Sequence, residues 1–309
     1  MTLYTRGYRP YDGGFTARGP RFGPILREGF RQATRGKAFV VLSLVIVVIV
    51  VVLGFFLYFG AGPLKEVFKP PRRHRWDAPA SPAEAFTPSF YLEAAVVLLH
   101  QISYAFVVLI ALFVGSNLIS DDLRARTLQL YLVRPITPFD YYLGKVLVPV
   151  AVFALVVLAP GLFLVVLAAL LRPSEEMLSF LGEQGALVGA ILLHFATLAA
   201  AYASIMVLYS AWTSRRLTAV VLGAVTLLGG EVLRTAVWRV EGGFADALRA
   251  CSLQADASAI LFRAMGREVD ASAFAPYPST TAAVVAVLAV TALAAWVVLR
   301  RARSVEVVA

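Results

Sequence analysis

Cysteine is nearly absent. Cys251 is the only one in 309 residues, so no intrachain disulfide can form and a disulfide-stapled domain is excluded. By itself Cys251 reads as one more small apolar residue. Histidine is scarce as well: His74, His100 and His194 are the only three, and neither H-E-x-x-H nor G-x-S-x-G occurs. An integral membrane enzyme needs acid, base, nucleophile or metal ligands gathered on one side, and no segment supplies such a set. A phosphate-cradling loop G-x-x-x-x-G-K-[ST] is missing too, because Gly36-Lys37 and Gly144-Lys145 lack both the upstream glycine and the following hydroxyl residue. Charged residues make up 15% of the chain against a usual ~25%. Apolar residues reach 60%, and the mean hydropathy is +0.77. A soluble domain of this size has too little interior to hide so much apolar side chain. Soluble enzymes and disordered chains are therefore excluded as readings of the whole chain.

What the sequence does have is long apolar runs. Six are candidate spans: Ala38–Phe59, Ala94–Leu118, Val146–Leu171, Gly185–Ala211, Leu217–Gly230 and Thr281–Leu299; all but the short fifth are long enough to cross a ~30 Å hydrocarbon core as helix. The first starts too deep for a signal peptide and lacks a small-residue cleavage site, so it is read as retained. Pro149 and Pro160 fall inside the third, where bundle neighbours accommodate them. Extension of the fifth to Val240 would set Glu231 and Arg234 one turn apart, where they are expected to pair. The fold class expected is an all-α membrane protein of six transmembrane helices, with an N-terminal interfacial helix and a cytoplasmic coupling helix. Residues 1–37 form a tail, 38–301 the six-span region and 302–309 a second tail.

The net charge is +9. In a soluble chain this would suggest nucleic acid. Here the basic residues border the spans, where they orient the chain and meet anionic lipid, and no nucleic-acid partner is expected. With six spans both termini share a side, which carries 17 of the 28 Lys and Arg residues. That side is expected to be cytoplasmic. Gly23–Lys37 places Ile25, Leu26, Gly29, Phe30 and Ala33 on one helical face, with Arg27, Arg31 and Arg35 on another. Such a helix lies in the membrane interface. The external loops are 60–93, rich in proline and basic residues, and 238–279. In the second, Phe244, Leu248 and Cys251 share one helical face, and Ala257, Ile260, Leu261 and Ala264 share another. Asp256 is placed as a cap and Gly266 as a stop. These short helices either dip into the outer interface or pack as a cap on the bundle.

The stretch from Gly115 to Lys145 carries the most information. Ser120 stands where an N-cap would, Asp121 and Asp122 suit a helix N-terminus, and Asp121–Arg124 and Asp122–Arg126 have ion-pair spacing. Leu123, Thr127, Leu130 and Tyr131 form the less charged face. Pro135 ends the helix, and Thr137-Pro138-Phe139-Asp140 starts the next with a capping-box pattern. At Gly115, Asp121–Asp122, Arg126-Thr127-Leu128, Arg134-Pro135-Ile136 and Gly144-Lys145 the sequence resembles the membrane component of ATP-binding-cassette (ABC) transporters of the type-2 exporter class. The six-span layout, the helix before span 1 and the long loop before span 6 match as well.

The resemblance implies a permease of the cytoplasmic membrane that exports a substrate. It would work as a dimer with itself or a sister subunit, driven by two copies of a separate ABC ATPase, with an accessory protein as a further partner. ATP and Mg would bind the ATPase, and this chain would hold no cofactor or metal and catalyse nothing itself. The coupling helix would fall on Ser120–Tyr131 (Ser120, Asp121, Asp122, Leu123, Arg124, Arg126, Thr127, Leu130 and Tyr131), with its loop ending through Arg134, Pro135, Gly144 and Lys145. Close subunit packing favours small residues, so span 1 is expected to meet span 5 at Gly223, Ala224, Gly229 and Gly230. Polar residues inside the spans, His100, Gln101, Asn117 and His194, are candidates for a translocation path. For the two histidines, hydrogen bonding between helices is the competing reading. The other class considered, an ion-coupled secondary carrier, would show repeated halves and charged or broken midplane helices.

Overall fold

The computed structural model describes residues 21–61, 88–125, 136–266 and 276–306, and among these every regular element is a helix. In chain order they are α1 (Gly23–Arg35), α2 (Lys37–Ala61), α3 (Pro88–Ile110), α4 (Ser120–Arg124), α5 (Pro138–Phe153), α6 (Ala159–Leu170), α7 (Ser174–Glu183), α8 (Gly185–Trp212), α9 (Arg216–Ala236), α10 (Gly243–Arg249), α11 (Leu253–Ala264) and α12 (Thr280–Glu306). Wide π turns at Ala111–Gly115 and Ala154–Leu158 extend α3 and join α5 to α6. The second lies just before Pro160, which has no N–H to bond back to Val156.

Among the described residues, six helical stretches are long and apolar enough to cross a membrane: Phe39–Phe59, Ser89–Arg124, Pro138–Leu170, Gly185–Trp212, Arg216–Ala236 and Thr280–Arg301. This is the pattern of a multi-pass membrane protein. Several spans are longer than their apolar runs, the third by starting at Pro138. Pro88–Glu93, read as the end of a loop, already belongs to α3, with proline at a position where a missing N–H costs nothing. The fifth span continues to Ala236, and Arg234 Nη2 pairs with Glu231 Oε2 at 3.0 Å. The start of α5 follows its sequence signal. Thr137 Oγ1 accepts from the Asp140 N–H, while Asp140 Oδ2 accepts from the Thr137 N–H, each at 3.1 Å.

The bundle is built around α8. Of its apolar stretch 72% is buried, against 17% for α2 and 22% for α9 and α12. Alanine and serine at Ala199, Ala201, Ala203 and Ser204 let neighbours approach α8 closely, and Tyr202 and Met206 fill the spaces between them. α1 lies against α5, and the crossing is made by glycine on both helices. A Cβ at Gly29 would stand 2.6 Å from Val148 Cγ2, and one at Gly144 would stand 2.9 Å from Ile25. The charged face of α1 stays exposed, with Arg31 paired to Glu28 at 2.6 Å.

The segment between the fifth and sixth spans departs from one of its two expected forms. α11 is no shallow interfacial helix. Leu253, Ala255 to Leu261 and Ser252 are all buried, packed against α8 and α12. Its cap is Ser252, whose Oγ accepts from the Ala255 N–H at 3.1 Å. Asp256, placed as the cap by sequence spacing, sits one turn further in and is fully buried. Gly266 takes φ +70° and closes the helix as expected. α7 has no counterpart among the sequence expectations: it is a short surface helix held by Phe180, which lies under the Arg172 guanidinium at 4.9 Å.

Candidate functional site

The loop between the second and third spans begins on a built seat. Ile119 and Ser120 open α4 with N–H groups that no local side chain caps. Ser120, expected to be the cap, turns its hydroxyl back to the Ser116 carbonyl at 2.6 Å. The cap comes instead from α8. Ser210 Oγ accepts from the Ile119 N–H at 2.8 Å and from the Ser120 N–H at 2.9 Å, and donates to the Ser116 carbonyl at 3.1 Å. Ser210 is completely buried. Asp122 then fixes α4 to α5: Lys145 Nζ stands 2.6 Å from its Oδ2, and the Tyr141 hydroxyl donates to the same oxygen at 2.7 Å.

These contacts give physical roles to several motif residues. Lys145 is the ion partner of Asp122, Gly144 admits Ile25 of α1, and Gly115 lies against Met206 of α8 where a Cβ would overlap that side chain. Arg124 pairs with Asp121 at 3.1 Å on the exposed edge. Leu123 is not an open docking face; it packs against the buried cluster of Ile25, Ile119 and Tyr141. Arg126, Thr127, Leu130, Tyr131, Arg134 and Pro135 lie outside the described residues, as does all of the expected helix beyond Ala125.

The Ser210 cap gives a direct expectation. Ser210→Ala strands two buried N–H groups, each worth about 1–3 kcal/mol. Hydrogen exchange of the peptide covering 116–125 should then accelerate at least tenfold at Ile119 and Ser120. Unchanged exchange would show that the cap does not hold the loop.

A second polar group lies inside the bundle. His100 of α3, His194 of α8 and Ser258 of α11 form a chain, with His100 Nδ1 2.9 Å from His194 Nε2 and His100 Nε2 2.8 Å from Ser258 Oγ. Ser258 donates to the Gln254 carbonyl at 2.9 Å, so it accepts from His100 Nε2–H. His100 Nδ1 in turn accepts from His194 Nε2–H. An activated nucleophile would need the hydroxyl to donate to the ring nitrogen, whereas Ser258 accepts from it, so His100 is not its base. Here all three are buried, and the adjoining cavity is only about 20 Å³, the space of one water. No substrate reaches the hydroxyl. The chain instead ties α11 to the two spans beneath it.

Beside it, Asp256 has both carboxylate oxygens buried without a hydrogen-bond partner. Burial, reinforced by the carboxylates of Asp246 and Glu231, pushes the Asp256 carboxyl up to about 9. Glu231 accepts from the Ser252 hydroxyl and links α9 to the start of α11. His100→Leu should leave Ser258 and His194 without their shared partner and loosen α11. The test is limited proteolysis of 238–279, with faster cleavage expected than in the wild type and equal rates contradicting the clamp.

The four residues expected to line a path do not come together. Only His100 and His194 meet. Gln101 points outward from the bundle, and Asn117 lies about 25 Å further along the second span than His100, beyond the π turn. Two of the fifth-span glycines expected at a subunit contact are turned inward, whereas Gly229 faces open space. Gly223 packs on Met206 and Leu112, and Gly230 packs under the Cys251 carbonyl, so both serve packing within the chain. Ser210, Tyr141 and Ser258 were invisible as functional partners, because nothing local distinguishes a serine that caps a distant helix from one that bonds its own turn. Among the described residues no group of three or more His, Cys, Asp or Glu could hold a metal ion. A scan against protein-family models finds no match, and neither does a search of curated proteins.

Proposed function

We propose that this chain is the membrane-spanning permease subunit of an exporter powered by separate ABC ATPase chains. The observation that carries the reading is the start of the coupling loop. Ser210 caps it from the central helix, and the Asp122–Lys145–Tyr141 contacts pin it to α5, so a push on α4 reaches two spans at once. A connector without a mechanical task needs no such anchoring. ATP and Mg belong to two copies of the partner ATPase on the cytoplasmic side, and this chain performs no hydrolysis.

The permease works as a dimer, with a second copy or a sister chain. Its contact surface is the outward faces of α2 and α9, where Val48, Val52, Val221, Val225 and Val232 are half or more exposed. In a Cys251→Ser background, cysteine pairs at Val48 and Val225 should crosslink between subunits, and crosslinks confined to α5 and α8 would contradict this interface. Orientation has a simple test, because the single native Cys251 is exposed. A membrane-impermeant thiol reagent should label it in intact cells. Labelling only after permeabilisation would reverse the topology.

The functional test is purification from native membranes. An ATPase should copurify, and its ATP hydrolysis should be stimulated by the wild-type chain and much less by Asp122→Lys. A proton-coupled carrier is the second reading, favoured by the buried, unpartnered carboxyl of Asp256. In that case Asp256→Asn abolishes transport and no ATPase accompanies the chain.

A further inference from the structure

A cavity of about 310 Å³ opens among α1, the first turns of α2, the end of α3 and the start of α9. Three of these are span ends on one side of the bundle, so the cavity lies at the boundary between hydrocarbon and headgroups. Its composition changes from end to end. Phe39, Leu42, Ile110 and Phe113 form apolar walls at the level of the spans. Asn117, Asp121 and Arg216 form a polar floor, with the Asp122–Lys145 pair at its edge. The π turn Ala111–Gly115 lies along one wall, a deformation that recurs at binding sites. At the lower end of the usual pocket range, this volume takes a headgroup and the root of its chains rather than a whole lipid.

The floor specifies the headgroup. It holds two carboxylates and two cations, so a purely anionic ligand meets as much repulsion as attraction. Asn117 Oδ1 is buried with no hydrogen-bond partner and calls for a donor. Asp121 offers a second acceptor, because its pair with Arg124 is exposed and exchangeable. Arg216 forms no ion pair among the described residues and suits a phosphate. A quaternary ammonium has no N–H to give Asn117, whereas a primary ammonium has three.

We propose that this cavity is a binding site for a phospholipid bearing a primary ammonium headgroup, phosphatidylethanolamine in kind. The ammonium donates to Asn117 and Asp121, the phosphate lies at Arg216, and the acyl chains leave past Phe39 and Phe113 into the bilayer. This site does not rest on the ATPase-driven reading and holds for any transport cycle the bundle performs.

The test uses the full chain, delipidated in detergent, with dihexanoyl phosphatidylethanolamine, phosphatidylcholine and phosphatidylglycerol as soluble probes. Phosphatidylethanolamine should bind at least tenfold more tightly than the other two, the worth of one charge-assisted hydrogen bond. Phosphoethanolamine without acyl chains should bind far more weakly. Asn117→Leu should abolish the preference, Asn117→Asp should keep it, and Gln101→Leu, on the outward face, should change nothing. Arg216→Gln alters an exposed residue, leaves the fold intact and should weaken all three phospholipids about tenfold. Equal binding of the three by the wild type, survival of the preference in Asn117→Leu, or full affinity in Arg216→Gln overturns the proposal.

Discussion

Replacing Asp256 by Asn should stabilise the chain at neutral pH and remove much of its sensitivity to alkali. The folded bundle holds the Asp256 carboxyl at about 9, because it is buried and because Asp246 and Glu231 lie close by. In the unfolded chain it titrates near the ordinary value of about 3.9. The folded pKa is raised, so the stability that the neutral acid contributes is fully present below about pH 4. It is lost progressively as pH rises toward 9. At pH 7 the cost is on the order of several kcal/mol, at about 1.4 kcal/mol per unit. Asn carries no such cost. Thermal unfolding in mild detergent at pH 5, 7 and 9 should show the wild type falling relative to Asp256→Asn across the series. Parallel curves would mean that Asp256 finds a cation or a solvent path in the folded chain.

Lys145→Met should be the most damaging substitution at the loop between the second and third spans. Asp122 and Lys145 expose only 15% and 11% of their side chains, so removing the ammonium takes the ion partner away from a nearly buried carboxylate. Breaking such a pair costs about 3–5 kcal/mol. Replacing both partners removes the charge along with its need, so Asp122→Leu/Lys145→Met should recover at least half of the lost stability. If the double variant loses the sum of the two singles, the residues act independently and the loop is not pinned there. If the proposed ATPase-driven reading holds, the single variant should also lose most of its ATPase stimulation in reconstituted complexes, since an unpinned α4 transmits nothing to α5.

The spans were legible in the sequence because run length and apolarity are sufficient signals for crossing a bilayer. The capping box at Thr137 and Asp140 and the Glu231–Arg234 pair were legible because they are local. Features set by distant partners were not. Ser210 caps a helix that lies some ninety residues earlier in the chain, and a serine near the end of an apolar run gives no hint of that. Asp256 looked like a cap because an acid before an apolar stretch has the cap's spacing. Burial by α8 and α12 reassigns it, and burial is a tertiary property. Gly223 and Gly230 showed that a small-residue face existed on span 5 but not which neighbour it faced. Gly115 and Gly144, at the two ends of the loop between the second and third spans, turned out to mark close helix crossings.

The central claim is that the α4 edge meets an ATPase. Arg124 is the residue from which to ask, because 71% of its side chain is exposed and it lies on that edge. A photo-crosslinking amino acid at position 124, activated in native membranes and followed by mass spectrometry, reads the neighbour directly. The account predicts an adduct with a chain carrying the nucleotide-binding loop G-x-x-x-x-G-K-[ST], lost when Lys145 is replaced by Met. Adducts to lipid or to this chain alone, together with transport by the purified chain without ATP, would contradict it.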